Sequence, residues 1–183
     1  MSVNIGIGVA VNLSFTQDYS EVVIGTQTWM VYNWGGNYAG SKVYNDDENN
    51  RAVYGGLYTW AMVTAVDFAP TGWHVPSKTE IDTLVTYLGG DADADDALKE
   101  TGTDHWTAPN SNATNSSGFT ARGAGWYPSD GPGFVDIKDY TWLWSTTESG
   151  TNAYSMYLSY TDVYSVVQVN GKEHYQSVRL IKD

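Results

Sequence analysis

One segment of this chain carries the full signature of a helix, and its isolation sets the fold class. In "HVPSKTEIDTLVTYLGG", Ser77 is a fitting N-cap and Glu80, three residues on, completes a capping box. Ile81, Leu84, Val85 and Leu88 make the apolar stripe. Gly89-Gly90 stop the element. A second short helix is expected around Ala97–Glu100, and "GLYTWAMVTA" carries Leu57, Trp60, Ala61 and Val63 on one helical face. The rest reads as short strands punctuated by 19 glycines. "EVVIGTQTWMVY" is two strands around a turn at Gly25. "YTWLWSTTES" alternates Trp142 and Trp144 against Thr141, Leu143 and Ser145. "AYSMYLSY" sets Tyr154, Met156 and Leu158 on one face and Ser155, Tyr157 and Ser159 on the other. A turn is expected at Thr161-Asp162 and a hairpin at Asn170-Gly171, with "KEHYQSVRLIKD" returning as the closing strand. Few helices among many short strands predict an α+β fold.

At 183 residues the chain has the length of one domain. Residues 1–20 read as an amino-terminal strand or arm and 21–183 as the domain. Within the first, Val3–Phe15 alternates Ile5, Ile7, Val9 and Val11 with Gly6, Gly8 and Ala10. Such a flat strand suits either an edge strand packed on the domain or an arm joining a second subunit. There is no cysteine, which excludes disulfides and thiolate metal sites. A net charge of −12 with scattered Lys and Arg argues against nucleic acid and against anionic lipid. No apolar run is long enough to span a membrane. The amino terminus has no basic n-region, so no signal peptide is expected.

Catalytic chemistry has little support. His74, His105 and His174 are far apart in sequence, and neither GxSxG nor HExxH occurs. Such a histidine is more often a bonded structural group than a catalyst. Two acidic runs, Asp46-Asp47-Glu48 and Asp91, Asp93, Asp95 and Asp96, could supply calcium oxygens but lack EF-hand spacing, and a solvated loop or helix start fits them better. No cofactor and no metal is expected. What remains is aromatic surface. Tyr157, Tyr160, Tyr164 and Tyr175 alternate with Ser, Thr and Asp. Strand propensity and cross-strand pairing would account for them. Display for binding accounts for them better, because a tyrosine offers rigid area and a polar tip at low entropic cost. Trp29, Trp60, Trp73, Trp142 and Trp144 are expected to build the scaffold beneath.

Several stretches occur in an order that resembles a known family: "IGTQTWM", "GLYTWAMV", "PTGWHVPSKTEIDTLVTYLGG", "ALKETG", "SSGFTARGAGWY", "WLWSTTES", "NAYSMYL" and "QSVRLIKD". Together they resemble the Fibrobacter succinogenes major paralogous domain, which is similar to a C-type lectin, over about residues 21 to 183. The resemblance implies a C-type-lectin-like α+β fold: a mixed, largely antiparallel twisted sheet with two helices, long loops and adjacent amino- and carboxyl-terminal strands. It also implies a non-enzymatic binding protein of the kind that diversity-generating retroelements rewrite at adenine-rich codons. On that pattern the variable region is about 153–176. Its face would comprise Ser155, Tyr157, Ser159, Tyr160, Thr161, Asp162, Tyr164, Ser165, Val167, His174 and Tyr175. Met156, Gln168, Lys172, Glu173 and Gln176 would be fixed framework. The implied partner is a protein or glycan on a target cell. The missing signal segment favours a phage tail over a bacterial surface adhesin, with a structural or assembly protein of the same fold as a further alternative and a homo-oligomer through the amino-terminal strand as a further expectation. The chain departs from related patterns in carrying Leu180 where many members have cysteine, and in lacking EPN or WND calcium motifs.

Overall fold

The Ser77 signal is honoured in a computed structural model of the chain, which describes residues 16–161 and 165–183. The Val3–Phe15 strand and the face residues Asp162 and Tyr164 lie outside the described residues. Ser77 Oγ accepts from the Glu80 amide and the Glu80 carboxylate accepts from the Ser77 amide, closing the capping box. The helix runs Lys78–Tyr87 and buries Ile81, Leu84 and Val85. Burying side chains of this kind contributes about 1.5–3 kcal/mol each. Gly89 and Gly90 both take positive φ, +104° and +105°. The reversal ends one helix and starts the next at Asp91–Leu98. That helix was expected about six residues later. It begins early because Gly90 resets the backbone and Asp91 and Asp93 complement the first-turn dipole. Two further α-helical pieces, Asn49–Tyr54 and Trp60–Val63, and a 3-10 turn at Tyr44–Asp46 lie among the described residues. Asn49–Tyr54 lies within Gly35–Gly56, a stretch whose polar, turn-rich sequence gives no helical pattern.

Numbered in chain order, the strands are β1 Glu21–Ile24, β2 Gln27–Met30, β3 Trp73–His74, β4 Ala124–Trp126, β5 Val135–Ile137, β6 Tyr140–Ser149, β7 Asn152–Ser159, β8 Val167–Gly171 and β9 Ile181–Lys182. They form two sheets of order β1-β2-β9-β3 and β5-β4-β6-β7-β8. The β1–β2 hairpin turns at Gly25, with φ +62°. Trp29 of β2 pairs with Ile181 of β9, so the carboxyl-terminal strand lies beside the amino-terminal hairpin, with β2 between β1 and β9. Only β4 and β6 run parallel in the second sheet. Two sheets, few helices and long loops make an α+β domain compatible with the C-type-lectin-like fold. The expected Asn170-Gly171 hairpin does not form: both residues stay in β8, opposite Ala153 and Asn152. Tyr175–Ser177 then leaves the sheet edge to bridge Tyr127, Tyr58 and Leu143.

One core cluster lies between the Lys78–Tyr87 helix and β6–β7. Trp29, Ile81, Leu84, Leu98, Trp106, Phe119, Leu143, Met156 and Leu158 share it. A second gathers Met30, Tyr58, Phe68, Trp144, Val178 and Leu180. The carboxyl end is fastened by His74, whose Nδ1 and Nε2 each lie 2.8 Å from a carboxylate, Asp183 and Glu80. Burial lowers the imidazole pKa, but the bonds to Glu80 and Asp183 outweigh it and the net shift is upward. The Glu80 pKa is lowered overall: burial raises it, and bonds from Ser77 and His74 more than offset that. Stability from the raised imidazole is therefore full below its ordinary pKa and is lost as pH rises through the folded value. Stability from Glu80 is full above the ordinary carboxylate range and is lost as pH falls through its lowered value. We expect His74→Asn to abolish the alkaline limb of this dependence. Thermal melts of parent and variant from pH 5 to 9 check it, and identical slopes would refute it.

Candidate functional site

Tyr140, Trp142 and Trp144 share one face of β6 because strand side chains alternate. Across the ladder they stand opposite Ser159, Tyr157 and Ser155 of β7. The two ends of this face meet different neighbours. At one end the Trp144 indole donates to the Tyr58 carbonyl at 2.8 Å, and the ring is wholly buried. Its partner Ser155 is equally buried and donates to Gln176 Oε1 at 2.7 Å. At the other end the rings are only half-buried. Tyr157 lies 4.3 Å from Trp142 and 5.5 Å from Tyr140, centroid to centroid. Tyr160 stands 6.1 Å beyond Tyr140. Trp126 of β4 flanks Trp142 at 6.3 Å, and His174 packs edge-on to Trp126 at 5.2 Å. All six rings are half-buried.

This continuous aromatic stripe crosses β4, β6 and β7. Gly125 brings β4 into place. Its φ of +64° lies in the left-handed region that favours glycine, and a Cβ there would sit 2.6 Å from the Val135 carbonyl. The Trp126 indole donates to Asp136 Oδ2 at 2.7 Å. Asp136 itself sits at φ +63°, a region Asp tolerates better than most residues. Burial pushes the Tyr157 phenol up to about 12, with Ser159 pulling the other way, so the hydroxyl is neutral.

The expected face divides accordingly. Tyr157, Tyr160 and His174 join the stripe. Thr161 is exposed beside it. Ser165 and Val167 are half-buried at the start of β8, where the Ser165 hydroxyl donates to the Val167 carbonyl. Tyr175 belongs to a separate group with Tyr127 and Phe134, over which Lys42 Nζ lies 4.6 Å from Tyr127 and 5.2 Å from Tyr175. Ser155 and Ser159 do not face outward: both are buried, at 0% and 2% exposure. Strand alternation would expose them, but Gln176 covers Ser155, and Ser159 turns into a local bond with Thr161. Met156 and Gln176, expected to be fixed framework, are buried.

Trp142 was expected in the scaffold with Trp144, and it is instead the middle of the stripe. Trp60 and Trp73 are likewise only half-buried, while Trp106 is a core residue that the sequence pattern did not single out. Parity alone cannot separate Trp142 from Trp144. The difference comes from Tyr58, which is distant in sequence. Because Ser155 fills a closed position, Ser155→Tyr is expected to destabilise the domain by about 1–3 kcal/mol through overpacking. Urea unfolding measures this, and an unchanged midpoint would return Ser155 to the open face.

The acidic runs serve the fold. The Glu48 carboxylate clasps Arg51, Asp47 accepts from the Asn49 amide, and Asp91 accepts from Val166. Among the described residues, no group of three or more His, Asp and Glu is arranged to hold a metal ion. His105 is bonded to Glu100 at 2.6 Å. No helix among the described residues is long and apolar enough to cross a membrane.

The sequence profile of the Fibrobacter succinogenes major domain matches residues 22–182. The chain belongs to this family. The match takes in both sheets, both core clusters and the whole stripe, so the candidate site is part of the family domain and not an appendage to it. No curated protein and no solved structure matches the chain.

Proposed function

We propose that this member of the Fibrobacter succinogenes major domain family is a non-enzymatic binding protein that presents its aromatic stripe to a protein or glycan on a target cell. The observation that carries the reading is the contrast between the two ends of one strand pair. Trp144 and Ser155 are sealed, whereas Trp142, Tyr157 and Tyr140 on the same ladder are only half-buried. Aromatic rings held rigidly by a packed scaffold and exposed at one edge are what binding hot spots are made of. Rewriting by a diversity-generating retroelement fits the loop and strand ends around the stripe, at Tyr157, Tyr160, Thr161, Ser165, His174 and Tyr175. It does not fit Ser155 and Ser159, which have no room for a larger residue. The setting proposed is a phage tail, with a bacterial surface adhesin as the alternative.

Trp142→Ala is expected to weaken attachment of labelled protein to its target cells at least about thirtyfold, the effect of losing a hot-spot residue worth about 2 kcal/mol. The control Val66→Ser, at a fully exposed position away from the stripe, should bind as the parent does. Saturation binding with both variants checked for folding by circular dichroism is the measurement. Equal attachment by Trp142→Ala and parent would end the reading. The retroelement part has its own test: a near-copy of the coding stretch beside a reverse transcriptase gene, with adenines substituted at the six positions named.

A further inference from the structure

The chain's own cations show what its aromatic rings attract. Lys42, Lys78, Arg122, Lys172, Arg179 and Lys182 each lie over a ring, at 4.2 to 5.7 Å from the centroid. Arg51 and Lys99 are held instead by Glu48 and Asp95. The stripe is different. Among the described residues, no lysine or arginine lies over Trp126, Trp142, Tyr140, Tyr157 or Tyr160. Yet one of these rings is bonded to a carboxylate, the Trp126 indole donating to Asp136 Oδ2 at 2.7 Å, and Asp139, three residues on, accepts the Tyr160 amide with its backbone carbonyl. Lys138 lies on the same turn and makes no salt bridge with either carboxylate among the described residues. His174 is the other titratable neighbour, and its Nδ1 accepts from the Ser129 amide, at 3.2 Å.

We infer that the stripe is an acceptor for a cationic side chain, lysine or arginine, of a protein partner, taken against the tilted Trp126 and Trp142 rings beside the Asp136 carboxylate. This rests on the reading of the stripe as the ligand face and adds the charge of what it takes. Ring faces attract cations through their quadrupole, and a nearby carboxylate strengthens the attraction where water is partly excluded. The chain's net charge of −12 favours the approach of a basic partner over a distance.

The test uses Nα-acetyl-lysine methylamide and Nα-acetyl-arginine methylamide, with the norleucine analogue as the uncharged control. Each is titrated into the 15N-labelled chain at physiological salt, following the indole N–H signals of Trp126 and Trp142. Both cations should move these signals saturably while norleucine does not. In Asp136→Asn the side chain can still accept from Trp126 and still suits a positive φ, so folding should hold. There the cation affinity should fall about fivefold. Equal shifts from norleucine, or an unchanged affinity in Asp136→Asn, would overturn the inference. So would cations that leave both indoles unmoved. None of these results touches the wider reading if Trp142→Ala still weakens cell attachment as expected. Loss of that effect sinks the ligand face itself.

Discussion

Arg179→Met is expected to cost more than about 4 kcal/mol of stability, a loss few single substitutions reach. Arg179 is 1% exposed and has no carboxylate partner among the described residues. Its charge is spread over neutral acceptors instead. Nε and Nη2 donate to Asn33 Oδ1 at 3.1 and 3.0 Å, and Nη1 donates to the carbonyls of Met30, Val31 and Phe119. The guanidinium also lies 4.2 Å from the Phe119 ring centroid. Burial pushes its pKa down to about 9, with Arg122 adding to the effect, so it stays charged at neutral pH. A buried acceptor left without its donor costs about 1–3 kcal/mol, and methionine would orphan several at once. Arg179→Lys should fall between the two, since one ammonium cannot serve Asn33 and three carbonyls that a planar fork reaches together. Guanidinium unfolding of the three proteins makes the comparison. A methionine variant within about 1 kcal/mol of the parent would mean that those carbonyls find water or other donors.

How much of this was legible beforehand follows from where each signal resides. The Ser77–Glu80 capping box and the Gly25 turn are local, and both form as read. The ordered family stretches are long enough to carry the fold. Asn170-Gly171 is a strong local signal that loses to context: β8 stays paired with β7 through both residues, and the chain reverses afterwards. The face was half legible. Tyr157 lies on the face alternation gives it and Tyr160 reaches Tyr140 from just beyond β7, but Ser155 and Ser159 obey the same alternation as Tyr157 and are covered by Gln176 and by the chain's own turn. No local pattern reports a cover that arrives from another part of the chain. For the same reason Trp126 and Asp136 were invisible. They reach the stripe only because β4 lies parallel to β6, a pairing between Gly125 and Thr141 that a sequence read strand by strand does not disclose. Arg179 and Lys99 gave no sign of burial either, since buried charges are recognisable only by the partners that satisfy them.

Lys99→Met is expected to destabilise the domain by about 3–5 kcal/mol, because it strands a buried carboxylate. Lys99 and Asp95 are 0% and 1% exposed, with Nζ 2.7 Å from Oδ2. The same ammonium donates to the Ser111 and Ser159 carbonyls, each at 2.9 Å. It thereby ties the end of the Asp91–Leu98 helix to the end of β7, directly beneath the stripe. Burial pushes the Asp95 pKa up to about 6, even with Lys99 opposing the shift. The sign follows from that: an acid whose folded pKa lies above its ordinary value of 3.8 contributes stability that is full below that value and is lost as pH rises through about 6. Without Lys99 the folded pKa rises further and the loss continues to higher pH. The gap between parent and variant should therefore be larger at pH 7.5 than at pH 4.5. Adding Asp95→Leu to Lys99→Met removes the stranded charge and should recover part of the loss, though not all of it, since two carbonyls still lack their donor. Chemical unfolding at the two pH values separates the roles. A gap that is the same at both would make Lys99 a donor to backbone carbonyls and nothing more, and the Asp95 charge would then matter little to the platform on which Tyr157 and Tyr160 stand.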